Sequence, residues 1–205
     1  MVHTMVRRGM VLRVKTPFQT KVTVFDELLG NIAIVPQAPV VPLVHGHLIA
    51  YHLEPWKHLY RAYDVQVMTL PAAWVCEDIW FLHHVLEMAR HFLPEESCAA
   101  SVFRLCMFLY EAEAAHHERA LLKKLFLGKF FALLGVYPDE ALQHDRELFH
   151  LFAGSGERMP EELEDTDELH KKLRRWLLGC IQTHPHGNTF TTMQFLYRQD
   201  ENEYQ

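Results

Sequence analysis

Between residues 9 and 70 short extended segments with apolar positions two apart are separated by turns, and after Pro71 the apolar positions recur every three or four residues. A period of two reads as strands with one buried face, and a period near 3.6 reads as amphipathic helices. Within the first part, Leu12 and Val14 precede a break at Pro17, Lys21 to Phe25 alternate, and Gly30-Asn31 marks a tight turn before Ile32, Ile34 and Val35. Two further extended segments follow. In His47–Leu53 the residues Ile49, Tyr51 and Leu53 share a face, and in Leu59–Leu70 so do Leu59, Tyr63, Val65 and Val67. A three-strand meander cannot bury itself, so the five segments are expected to close into a five-stranded OB-like β-barrel spanning residues 1–72.

The helical part, residues 73–205, is expected to form an α-helical bundle, which makes the fold class α+β. Trp74 opens a stripe through Phe81, Leu82, Val85, Leu86, Ala89 and Phe92 that stops at Pro94. A second helix with Ser97 as N-cap buries Val102, Leu105, Cys106 and Leu109. The third is the most apolar, with Leu121, Leu122, Leu125, Phe130, Phe131, Leu133 and Leu134, and it is closed by Gly135 and Pro138. Residues 154–165 read as a loop, Asp165 with Glu168 as the capping box of a fourth helix along Leu169, Leu173, Trp176, Leu177 and Ile181, and Phe190, Phe195 and Leu196 as the docking face of a last short one.

Composition adds that a core can be filled, since 49% of the residues are apolar and 22% charged. No run approaches the roughly 20 apolar residues that span a bilayer, and no leader pattern opens the sequence, so a cytoplasmic protein without membrane contact is expected. Cys76, Cys98, Cys106 and Cys180 form no Cys-x-x-Cys pair and read as small buried hydrophobes. The net charge of -6 is unevenly divided: residues 1–72 carry +3 and the remainder -9. Arg7, Arg8, Arg13, Lys15 and Lys21 supply most of the excess, a density suited to a phosphate backbone and equally to solvated strand faces.

Catalytic patterns are missing. There is no Gly-x-Ser-x-Gly elbow, no phosphate-binding Gly-rich loop and no Cys-His pair with a third partner, so no enzyme is expected. Glu113, His116 and His117 have Glu-x-x-His spacing, but a di-iron bundle needs two such motifs. His45-Gly-His47 and His184-Pro-His186 have no evident third ligand. No metal and no cofactor are expected.

The strings Gly9-Met-Val-Leu-Arg13, Thr16-Pro-Phe-Gln-Thr20, Val22-Thr-Val-Phe-Asp-Glu27 and Gly30-Asn-Ile32, followed by helices ending in Leu133-Leu-Gly-Val-Tyr-Pro138, resemble the bacterial RecO family of DNA repair and recombination mediators. The resemblance covers most of the chain and implies an OB domain joined to a helical domain. It also implies a non-enzymatic protein that binds single- and double-stranded DNA, anneals strands coated by single-stranded DNA-binding protein, and with RecR assists RecA loading. Carried onto this sequence, Arg7, Arg8, Arg13, Lys15 and Lys21 would contact DNA. Lys123 and Lys124 would receive the acidic tail of single-stranded DNA-binding protein, or else form the wet side of a core helix.

The chain departs from that family in three places. Residues 35–45 hold no Lys or Arg where relatives carry a basic loop, residues 136–165 hold no cysteine where many carry a zinc module, and Asn188–Thr192 replaces a Pro-Leu-Lys-Ser motif. Weaker DNA binding than in a basic relative follows, because phosphate neutralisation supplies much of the affinity. The rival expectation is an OB-fold adaptor without DNA binding that meets protein partners through Trp56, Trp80 or Tyr60.

Overall fold

A computed structural model of the chain describes residues 5–14, 21–37, 42–111, 120–138, 146–154 and 166–198. Five strands form a closed barrel: β1 (Arg7–Val14), β2 (Val22–Asp26), β3 (Gly30–Pro36), β4 (Leu48–Trp56) and β5 (Leu59–Thr69). The order around the barrel is β1-β2-β3-β5-β4, with β4 returning to β1. All pairings are antiparallel except β3 with β5, which run parallel through Ile34–Pro36 and Tyr60–Ala62. This is the OB-like closure that the period-two patterning predicts.

The period-two residues fill the barrel. Val11, Val22, Val24, Ile32, Ile34, Leu43, Ile49, Tyr51 and Ala62 make one buried cluster. The β2–β3 turn lies at Glu27–Leu29, before the Gly30-Asn31 pair that the sequence singles out, and Gly30 closes it at φ 71°. A three-residue hairpin loop ends in a left-handed residue, which glycine adopts without strain. On β5, Asp64 at φ 49° sits at a bulge opposite Tyr51, where the register with β4 shifts. The extra residue bends the strand and adds twist, which helps the sheet to close.

Three helices follow within the same compact unit: α1 (Ala72–Glu77), α2 (Ile79–Phe92) and α3 (Ala100–Glu111). They explain why β1 is buried from Gly9 to Leu12 without alternation. Val11 faces the barrel interior, whereas Met10 and Leu12 lie outside that cluster and are buried where α2 packs on β1. Phe25 likewise meets Phe103 of α3 edge-on, with ring centroids 5.3 Å apart. The unit therefore runs from Met1 to Ala112, and a second runs from Glu113 to Gln205. The division falls later than the strand-to-helix change near residue 72.

The second unit contains α4 (Ala120–Leu133), α5 (Arg146–Gly154), α6 (Asp167–Gln182), a 3-10 turn (Gly187–Thr189) and α7 (Thr191–Arg198). α4 is buried on nearly every side, as its apolar run predicts. It ends in a Schellman arrangement: Gly135 at φ 71° donates to the Ala132 carbonyl, and the Val136 amide donates to that of Phe131. Phe152 of α5 rests on Gly128 of α4 and against Trp176 of α6, at 5.0 Å between ring centroids.

Several expectations are corrected at residue level. α3 begins at Ala100 with Ala99 accepting its first bond, so Ser97 is not its N-cap. Thr166 caps α6, its hydroxyl accepting from the Leu169 amide at 3.3 Å; Asp165 lies outside the described residues. Cys106 and Cys180 are buried as expected, but Cys76 and Cys98 are exposed, because α1 and the segment before α3 turn them outward. Residues 155–165 and the Glu113, His116 and His117 group also lie outside the described residues.

Candidate nucleic-acid interface

Two of the five candidate DNA-contacting residues are held in ion pairs within the chain, Arg7 in a largely buried one and Arg8 in an exposed one. Arg7 meets Asp26 in a bidentate pair, Nε to Oδ2 at 2.9 Å and Nη2 to Oδ1 at 2.5 Å. Asp26 has no exposed surface. Its Oδ2 also accepts from the Tyr51 hydroxyl at 2.6 Å, and its Oδ1 from the Leu28 and Leu29 amides at 2.8 Å each. Burial alone would raise the Asp26 pKa; the hydrogen bonds from Arg7, Tyr51 and the two amides outweigh it and hold the carboxyl below its usual range. Arg8 pairs with Glu27 in the same two-pronged way at 2.9 and 2.8 Å. The alternation that places Arg7 and Arg8 at the start of β1 also places Asp26 and Glu27 at the end of β2, and antiparallel pairing brings the two ends together.

The others divide. Arg13 is exposed on β1, Lys21 is half-buried before β2, and Lys15 lies outside the described residues. On α4, Lys124 is only 3% exposed, its Nζ 3.0 Å from Nδ1 of His170 on α6. It is therefore not an exposed ammonium beside Lys123, which is half-buried. The expectation of a paired basic handle on α4 is corrected by the direction of the helix face, which turns Lys124 toward α6.

Arg8 also lies over the Phe103 ring, 6.0 Å from its centroid; two cations share one ring at the hairpin joining β4 to β5. The turn has two residues, Lys57 and His58, with Lys57 at φ 56°, and Trp56 pairs with Leu59 across it. So tight a turn fixes the side chains that flank it. The Arg61 guanidinium carbon lies 4.4 Å from the Trp56 ring centroid and Lys57 Nζ lies 5.3 Å from it, both within cation–π range. Lys57 and His58 are exposed, and Trp56, Tyr60, Arg61 and Tyr63 are half-buried. The Tyr63 hydroxyl donates to the carboxylate of Glu54, which pairs with Arg61 across the two strands. In an OB-like barrel the β4–β5 loop borders the groove that receives oligonucleotides.

Lys57 and Arg61 are not among the residues that charge density points to, although basic and aromatic residues interleave in Trp56-Lys-His-Leu-Tyr-Arg61. Strand spacing places position 61 beside position 56 only once the turn is known to have two residues.

One histidine of each run serves local structure. Nδ1 of His47 accepts from the Val44 amide at 3.2 Å, and Nδ1 of His184 accepts from that of His186 at 3.2 Å. Among the described residues, no three His, Cys, Asp or Glu side chains group so as to hold a metal, and no helix is long and apolar enough to cross a membrane. Compared with known protein families and with curated proteins, the chain matches none.

Proposed function

We propose that the first unit is a non-enzymatic binding module for single-stranded nucleic acid, working from the barrel. The observation that carries this reading is the Trp56 ring flanked by Lys57 and Arg61 at the β4–β5 turn. An indole offers a face on which any base can stack, and the neighbouring cations meet the phosphates, the combination that recurs in sequence-tolerant single-strand binding. In its fuller form the proposal follows the resemblance to the RecO family. The chain then binds single- and double-stranded DNA, anneals strands coated by single-stranded DNA-binding protein, and acts with RecR to assist RecA loading in DNA repair and recombination in the cytoplasm.

A second reading has its own observation. Ile79 and Trp80, at the start of α2, are exposed, Trp80 by 65%. Neighbouring exposed large apolar residues suit a protein partner, and the acidic balance of the whole chain disfavours a polyanion. On this reading the module is an adaptor.

Fluorescence anisotropy of the full chain with a labelled single-stranded oligonucleotide across a salt series separates the two. The nucleic-acid reading expects saturable, salt-weakened binding that drops about tenfold in Trp56→Ala, the scale of one lost stacking contact. An absence of binding at low salt sinks it and leaves the adaptor. Annealing of complementary oligonucleotides, scored in the same samples without nucleotide triphosphate, tests the mediator role.

A further inference from the structure

We propose that Arg13, His45, His83 and Arg90 form a phosphate-binding site, a second contact for a nucleic-acid backbone, where β1, the connection before β4 and α2 meet. It rests on the reading of this unit as a nucleic-acid module, and adds to it a surface away from the β4–β5 turn.

The placement follows from main-chain contacts. The Gly46 amide donates to the Val11 carbonyl and the Val11 amide to that of His47, each at 2.8 Å, so residues 46–47 are bonded to β1. The Tyr110 hydroxyl of α3 donates to the Gly46 carbonyl at 2.8 Å. A Cβ on Gly46 would lie 3.5 Å from Leu82 Cδ2, which sets the same segment against α2. His45 and His83 are chain neighbours of those two contacting residues, and Arg13 stands two positions beyond Val11. On α2, His83 and Arg90 are seven residues apart and so share a face, with Glu87 between them.

All four side chains are exposed. Glu87 is the acid among them, half-buried. Their mutual influence agrees with the placement. Burial, followed by the charges of His83, Arg13 and Arg90, holds His45 below its ordinary pKa, and burial followed by Arg13 lowers Arg90 against the pull of Glu87. Arg7 and Arg8 each have a carboxylate in bidentate contact; Arg13 has no ion pair among the described residues. Arg13 and Arg90 repel one another until an anion arrives, His45 and His83 add ring nitrogens beside them, and a chain of phosphates is the anion that extends past all four. Trp80 stands beside the cluster, its ring edge-on to His83 at 6.3 Å between centroids, and gives a base a surface next to the charges.

The test uses the full chain, a labelled single-stranded oligonucleotide and a double Arg13→Gln, Arg90→Gln variant, with circular dichroism showing that these exposed substitutions leave the fold intact. The variant is expected to bind more weakly at every salt concentration, with the slope of log affinity against log salt shallower by about 1.4, two single-strand phosphate contacts. Trp56→Ala is expected to weaken binding with its slope unchanged. If the wild type binds and the double variant keeps its affinity and slope, this site is overturned while the nucleic-acid reading stands; if the wild type does not bind, both fall. A second arm titrates inorganic pyrophosphate. Pyrophosphate binding that is lost in the double variant, with oligonucleotide binding intact, would assign the site to free phosphates and overturn the backbone contact.

Discussion

Asp26 is the residue on which the barrel's polar interior depends. A carboxylate with no exposure is costly unless its lone pairs are filled, and Arg7, Tyr51 and two turn amides fill them. Arg7 is 18% exposed, so its own desolvation is partial. Removing it leaves Asp26 buried without its countercharge, and Arg7→Met is expected to cost about 3 kcal/mol in urea unfolding. The pH dependence has a definite sign. Because the native pKa of Asp26 is depressed, its contribution is fully present above the ordinary carboxylate value of about 3.9 and is lost as pH falls through the native value. Urea midpoints measured from pH 6 to pH 2 should show this loss in the wild type and a smaller one in Arg7→Met. The same chemistry shows how far a count of positive residues can be read. Two arginines that look available for DNA in the sequence already hold carboxylates, and only cross-strand register reveals it.

Among the elements, α4 is the one whose burial leaves least room. Gly128 lies against the Phe152 ring, where an added Cβ would stand 2.2 Å from Cζ. Alanine gains about 1 kcal/mol of helix propensity over glycine, whereas overpacking a closed core costs about 1–3 kcal/mol. Phe152 is buried and packed on Trp176, so the ring cannot yield freely and the second effect wins. Gly128→Ala is expected to lower the melting temperature, and Gly128→Ala with Phe152→Leu to recover part of the loss. Lys129 shows a second consequence of all-round burial. Its ammonium donates to the Phe152 carbonyl in the last turn of α5, capping that helix from within the core. A lysine on a central helix thus need not mark a wet face.

At the scale of the whole molecule, the barrel is not closed off from the helices that follow it. Met10, Leu12 and Phe25 are buried outside the barrel's core cluster, on strands that α2 and α3 pack against, with Phe25 meeting Phe103 of α3. Each fully buried apolar side chain is worth about 1.5–3 kcal/mol, so a fragment ending at residue 72 loses several such contributions at once. Residues 1–112 are expected to give a cooperative thermal transition, and residues 1–72 to remain unfolded or aggregate, as circular dichroism would show. The unit boundary at Ala112 thus has an energetic meaning that the change of hydrophobic period near residue 72 does not carry.

The elements were legible in the chain: alternation gave the five strands, the stripe from Trp74 to Phe92 gave helical structure that Asp78 divides into α1 and α2 instead of one helix, and Gly135 with Pro138 marked the end of α4, because periodicity and backbone preference act over a few residues. It also contained the aromatic and basic residues of the β4–β5 turn. Which charges are paired, and which stand close together, emerged only on folding. Register joined Arg7 to Asp26 and Arg8 to Glu27, the two-residue turn brought Arg61 to Trp56, and the packing of α2 on β1 set Arg13 beside His45, His83 and Arg90. The physical reason is range: propensity is local, whereas desolvation and charge pairing depend on neighbours that are distant along the chain and adjacent only after it folds.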